Sequence, residues 1–87
     1  MAEVRGRVQG VGFRHFTRST ARRLDLRGFV RNEPGGTVTV VAEGPRGALN
    51  ALVDALHEGP SAAAVRSVDV SWEEPRDEFS GFSVAYH

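Results

Sequence analysis

The apolar residues of this chain change period several times, and the order of the changes limits the fold more than any other feature. Residues 3–9 alternate, with Val4, Gly6 and Val8 on one face and Arg5, Arg7 and Gln9 on the other. Period two marks a strand. A glycine turn follows at Gly10-Val11-Gly12. Phe13, Phe16, Thr17, Thr20, Ala21 and Leu24 then recur at the spacing of one helix face, with Arg14, Arg18 and Arg22 off the stripe. Gly28 is the natural stop of that helix. Phe29-Val30-Arg31-Asn32 reads as a short strand, Glu33-Pro34-Gly35-Gly36 as a turn of hairpin length, and the β-branched run 37–43 as the returning strand.

Gly44-Pro45 opens a second helix, striped by Leu49, Leu52, Val53 and Leu56 and ended by Gly59-Pro60. A loop over 61–64 leads to a fourth strand in which Val68, Val70 and Trp72 alternate with polar residues; this places Trp72 in the core. A polar turn at 75–78 precedes a closing strand carrying Phe82, Val84 and Tyr86. The order β-α-β-β-α-β, with one extra strand, predicts an α+β fold. It is the ferredoxin-like split βαβ sandwich (βαββαβ), an antiparallel sheet with two helices on one face. In it the first and third strands are central neighbours and the second pairs with the third.

Eighty-seven residues make one domain, 1–87, that buries roughly 60% of its unfolded surface. Separate cofactor and substrate domains do not fit. Cysteine is absent, which removes disulfides, thiolate metal sites and thiol nucleophiles. Lysine is absent too, which removes a P-loop and Schiff-base chemistry. His15, on the exposed side of the first helix, His57, at the end of the second, and the terminal His87 are scattered without a carboxylate cluster. No metal and no cofactor are therefore expected. No apolar run approaches the ~20 residues of a membrane span. The N-terminus Met1-Ala2-Glu3-Val4-Arg5 has no signal-peptide character. The expectation is a soluble, cytoplasmic monomer without membrane or nucleic-acid partners.

The net charge is zero but unevenly placed. Residues 1–31 carry eight Arg against Glu3 and Asp25, a balance of +6, and residues 32–87 carry three Arg against nine acids, a balance of −6. A basic front third points to an anion near it. Arg5, Arg7 and Arg31 either widen that field or serve surface and ion-pair duty, and the acids Glu73, Glu74, Asp77 and Glu78 read as a solubilising edge.

The chemistry concentrates in Gly6-Arg7-Val8-Gln9-Gly10-Val11-Gly12-Phe13-Arg14. There a strand ends, the backbone turns on glycines and a helix begins. Successive N–H groups at such a junction point into one concavity, and the helix start adds partial positive charge. Arg14, in the first helical turn, can offer two parallel N–H bonds to a tetrahedral oxyanion. The assembly predicts a metal-free, phosphate-sized anion site. The plainer alternative is a strand-to-helix turn that uses glycine only to turn. A dinucleotide fingerprint is excluded, because its third glycine position falls on His15.

The run 6–14 resembles the first signature of acylphosphatases at every fixed position. Gly28-Phe29-Val30-Arg31-Asn32, followed by Gly36, Val38 and Gly44, resembles the second at the same spacing. The resemblance extends over essentially the whole chain. It implies a metal-independent hydrolase of acyl phosphates that yields a carboxylate and inorganic phosphate. It further implies that Arg14 binds the phosphate, that Asn32 orients the attacking water, and that Gln9, Gly10, Val11, Gly12 and Phe13 line the phosphate with backbone donors. Inorganic phosphate or sulfate then competes with the small-molecule acyl phosphate.

Three other readings share the topology. RNA-recognition domains carry an aromatic strand motif, but Val30-Arg31-Asn32 stands where that motif requires Gly/Ala-Phe-Val after Arg27-Gly28-Phe29. A regulatory domain would keep the anion loop without turnover. A detached relative of the acylphosphatase-like domain of carbamoyl-transfer maturation proteins is the third, and the expectation of one small domain speaks against it.

Overall fold

The computed structural model describes residues 1–86, so His87 and its place in the sequence reading lie outside the described residues. The elements are β1 (Ala2–Arg7), α1 (Phe13–Arg23), β2 (Arg27–Asn32), β3 (Val38–Glu43), α2 (Arg46–Glu58), β4 (Ala64–Val70) and β5 (Phe82–Ala85). The strands form one sheet in the order β4-β1-β3-β2-β5. The ferredoxin-like α+β fold expected from the periodicities is the fold observed, with β1 and β3 at the centre.

One pairing differs from the expected all-antiparallel sheet. β5 joins the free edge of β2 in parallel, with Phe82 beside Gly28 and Ala85 beside Arg31. β4 and β5 occupy opposite edges, so the chain between them must cross the sheet. Four strand spacings of ~4.8 Å make about 19 Å, which the eleven residues 71–81 span with length to spare at ~3.3 Å each. That connection lies against the face turned away from the helices. The buried Glu43 carboxylate accepts the backbone N–H of Arg76 and, at 3.2 Å, that of Asp77, while Phe79 meets Phe29 edge-on with ring centroids 5.9 Å apart.

The core sits between the sheet and the helices. Val4, Val30, Val38 and Val40 from the strands pack with Phe13, Ala21, Leu52 and Leu56 from the helices, all essentially inaccessible. The α1 stripe includes two threonines because each hydroxyl is satisfied within the helix. Thr17 donates to the Phe13 carbonyl and Thr20 to the Phe16 carbonyl, both at 2.9 Å.

Several element ends move from where the sequence put them. α1 stops at Arg23, because Asp25 takes a left-handed conformation (φ 56°) and turns the chain five residues after Thr20. Gly28 is therefore not the helix stop but a strand residue. Its φ is +143°, and a Cβ there would lie 1.8 Å from the Val41 carbonyl oxygen across the β2–β3 ladder. A register shift between Arg5 and Gly6 leaves Arg66 of β4 without a partner in β1, and Gly6 is exposed where Val4 and Val8 are buried. β4 starts at Ala64, paired with Arg7, where a loop was expected.

Trp72 is not in the core. β4 ends at Val70, and after Ser71 bonds Met1 the chain leaves the sheet, so the alternation no longer places residue 72 over the helices. The indole is about half exposed and carries the Arg46 guanidinium 3.6 Å from its ring centroid. The acidic residues 73, 74, 77 and 78 are exposed as expected.

Gly28→Ala is expected to lower the unfolding free energy by about 3 kcal/mol or more, since both the conformation and the space are lost. Gly35→Ala, in open space, should stay within about 0.5 kcal/mol of the native protein. Urea unfolding of the pair checks this, and equal midpoints would contradict it.

Candidate active site

The topology brings three strand ends to one place. β1, β2 and β5 run in the same direction, and all three finish where β3 begins. Val38, the first residue of β3, is paired with Val4 of β1 on one side and Asn32 of β2 on the other. The exit loop of β1, Asn32 and the end of β5 therefore share one end of the sheet.

At the exit of β1, Val8 and Phe13 are buried and pin both ends of the intervening loop to the core. Gly10 and Gly12 adopt φ of 74° and 80°, a region costly for side-chain residues, and Gly12 caps α1. Among the described residues, a Cβ on either glycine would meet nothing within 4 Å beyond its own chain neighbours. Conformation, not crowding by the protein, is what requires glycine here, and the space in front of the loop is open. No side chain caps the helix and its first turn holds no acidic residue. The first bond along the helix runs from the Phe16 N–H to the Gly12 carbonyl at 3.0 Å, so the N–H groups of residues 13–15 have no acceptor within the helix.

Gln9 joins the loop to the β2–β3 turn. Its Nε2 donates to the carbonyls of Glu33 and Thr37, both at 2.8 Å. Those carbonyls already close the turn, accepting from Gly36 at 3.1 Å and Glu33 at 2.9 Å respectively. A second lock lies on the same turn. The Glu33 carboxylate accepts two N–H bonds from Arg31, at 3.0 and 2.9 Å, and the Thr39 hydroxyl at 2.7 Å. Asn32 stands between these two anchors, half-buried, with its Oδ1 shielded from solvent.

Arg14 is half-buried on the first turn of α1. Its guanidinium carbon lies over the ring of Tyr86, 5.2 Å from the centroid. Among the described residues it has no carboxylate within 4 Å, unlike Arg31, held by Glu33, and Arg5, held by Glu3 and Asp69. Those two basic residues thus serve as ion pairs. His15 is exposed and its Nδ1 lies 3.1 Å from Arg18 Nη2. No group of three or more His, Cys, Asp or Glu among the described residues could hold a metal ion. Two hollows, of about 610 and 740 Å³, lie elsewhere. One is beside Arg22 and Gly81, the other beside Trp72 and Leu52, and neither touches residues 9–14 or Asn32.

A glycine loop whose helix-start amides have no acceptor within the helix, an arginine with no acid partner among the described residues and an asparagine two strands away share this end of the sheet. The sequence matches the acylphosphatase family model over residues 1–84. The chain belongs to the acylphosphatase family. An acylphosphatase of Salinibacter ruber is 58% identical over 83 residues, which cover 95% of this chain and 87% of that protein. The crystal structure of the Bacillus subtilis acylphosphatase superposes with a TM-score of 0.94 at 38% identity, covering 98% of this chain and 94% of that one. HypF, solved in a phosphate- and nucleotide-bound form, contains the same fold in 11% of its length, with a TM-score of 0.85 at 30% identity over 97% of this chain.

All the residues named for the acylphosphatase site from sequence lie at this one end of the sheet. Two side chains that touch this end of the sheet were not named there: that of Gln9, considered only for its backbone, and that of Tyr86, against Arg14. The Gln9 bridge was foreshadowed only by a polar residue at the close of an alternating strand. Tyr86 gave no signal, because nothing in the sequence discloses that β5 pairs in parallel with β2.

Gln9→Leu keeps the volume and removes both bridging bonds, so it should cost about 1–3 kcal/mol in urea unfolding. A loss below about 0.5 kcal/mol would show that the bridge does not hold the loop.

Proposed function

We propose that this protein hydrolyses acyl phosphates at the end of the sheet where β1, β2 and β5 finish, with Arg14 and the backbone of residues 9–13 holding the phosphoryl group and Asn32 aiming the water. Family membership supports the reaction. The observation that carries the site is the meeting of the glycine loop with Asn32 across the Gln9 bridge. The closer likeness to whole acylphosphatases than to HypF favours this reading over a carbamoyl-transfer role.

The reaction replaces one P–O bond by another. The water oxygen attacks phosphorus as the bond to the acyl oxygen breaks, and the carboxylate leaves with the electron pair. Such a leaving group needs no strong general acid. A loose phosphoryl-transfer transition state asks chiefly for position and for stabilisation of charge on the three equatorial oxygens. The Arg14 fork spans two of those oxygens, and the main-chain donors of the loop and helix start meet the rest. The Asn32 carboxamide can orient a water by hydrogen bonds but cannot take its proton at neutral pH. In this mechanism the proton passes to an oxygen of the transferred phosphate, giving inorganic phosphate and free carboxylate. Inorganic phosphate and sulfate fit the same cradle and compete with substrate.

Arg14→Ala should lower the turnover of benzoyl phosphate about 10²–10³-fold and weaken inorganic phosphate binding with it. Arg14→Lys should rescue poorly, since a point charge does not bridge two oxygens. Asn32→Ala should keep phosphate affinity and lose rate. Activity should persist in excess chelator. Phosphate binding without hydrolysis by the native protein would favour the regulatory reading instead, and loss of binding with retained rate in Asn32→Ala would reverse the assigned roles.

A further inference from the structure

We infer that Glu33 is a positioning residue for Asn32, clamped by Arg31 and Thr39 across the back of β2 so that the carboxamide keeps its aim. The inference rests on the water-orienting role proposed for Asn32. Three donors meet on one oxygen of the Glu33 carboxylate. Arg31 donates to it from Nε at 3.0 Å and from Nη2 at 2.9 Å, and the Thr39 hydroxyl donates at 2.7 Å. Arg31 and Thr39 stand opposite each other in the β2–β3 ladder, and Asn32 stands opposite the buried Val38. The clamp and Asn32 therefore take opposite faces of the sheet.

The place of the clamp matters. The Asn32–Val38 pair is the last of its ladder, where a strand end is most free to fray. Residues 31 and 33 flank Asn32 in the chain, so a bond between their side chains closes a ring around its backbone. That ring restricts φ and ψ of residue 32, and with them the direction of its Cα–Cβ bond. The Thr39 hydroxyl ties the ring to β3, the middle strand of the sheet. Arg31 is backed in turn. Its guanidinium carbon lies 5.4 Å from the centroid of Phe29, whose ring meets Phe79 of the crossing connection. Charge-assisted bonds of this kind are stronger than neutral ones, and both partners of the ion pair are mostly shielded from solvent. Gln9 grips the same turn by its carbonyls. The two locks thus act on different things: Gln9 on the cradle, Glu33 on the aim of the water.

The test compares native protein, Glu33→Leu, Thr39→Val, Thr39→Ser and Asn32→Ala, and adds the double variants that join Glu33→Leu or Thr39→Val to Asn32→Ala. Benzoyl phosphate is the substrate and inorganic phosphate the probe for calorimetric binding. Glu33→Leu and Thr39→Val should lower kcat about three- to tenfold, with KM and phosphate Kd within about twofold of native. Thr39→Ser keeps the hydroxyl and should match the native rate. With Asn32→Ala already in place, neither change should lower the rate further, because the group whose aim they set is gone. A merely structural clamp would lower Tm and leave the kcat of folded protein unchanged. Native kcat in Thr39→Val or in folded Glu33→Leu overturns the inference, and Thr39→Val alone suffices where Glu33→Leu does not fold. An equal loss of rate in the Asn32→Ala background overturns it too, as does Thr39→Ser as slow as Thr39→Val. Asn32→Ala with native kcat overturns the assignment of Asn32 beneath it, a separate failure visible without any Glu33 or Thr39 variant.

Discussion

The two hydrogen bonds from the Gln9 carboxamide to the Glu33 and Thr37 carbonyls make one site out of two segments more than twenty residues apart. The loop after β1 has glycines at both its turning points, with Val11 between them packed against the core, and its backbone donors are better aimed when more than its ends is fixed. The bridge ties its first residue, beside Val8, to a turn that is already closed by its own backbone bonds and by the Arg31–Glu33–Thr39 cluster. Preorganised donors are worth more than donors that must be ordered on binding, because the ordering entropy has been spent during folding. The same contact places the loop beside Asn32, the neighbour of Glu33 in the chain.

The bridge in turn depends on the sheet. Only with β1 and β3 as central neighbours, and β2 on the far side of β3, do the ends of β1 and β2 flank the start of β3. Val38 is paired with both, and is fully buried, so a slip of register on either side would turn a core residue toward solvent. The hydrophobic core thus sets the spacing of the polar groups at its edge. Fold and site are not separable here: a site with few polar side chains takes its geometry from backbone pairing.

The sequence made much of this legible because the signals were local. The glycine turn between an alternating strand and a helical stripe, and the hairpin around Gly35-Gly36, are both written in short windows. The shared face of Val4 and Val8 and the stripe of Leu52 and Leu56, all buried in the core, followed from period alone. What escaped was decided by contacts between distant segments. Gly28 looked like a helix stop because its real constraint, the Val41 carbonyl, belongs to another strand. Trp72 looked like core because the alternation of Val68 and Val70 continues through it, whereas the chain leaves the sheet one residue earlier. The parallel pairing of β5 depends on the crossing of residues 71–81 and on the bonds of Glu43 to the chain as it passes, neither of which has a local pattern.

That crossing bears on residues at the other end of the sheet. The buried Glu43 carboxylate and the Phe29–Phe79 contact hold the connection against the face opposite the helices, and so set the height at which β5 enters the edge of β2. With four residues in β5, a shift of one position along β2 would turn Phe82, which is almost wholly buried, away from the core. The same register decides whether Tyr86 stands level with Asn32 or one residue short of it. An anchor at the opposite end of the sheet, far from any phosphate, therefore fixes where the ring beneath Arg14 sits. A long connection that looks like an appendage to the βαββαβ core is in this way the part of the chain that brings an aromatic ring to the arginine.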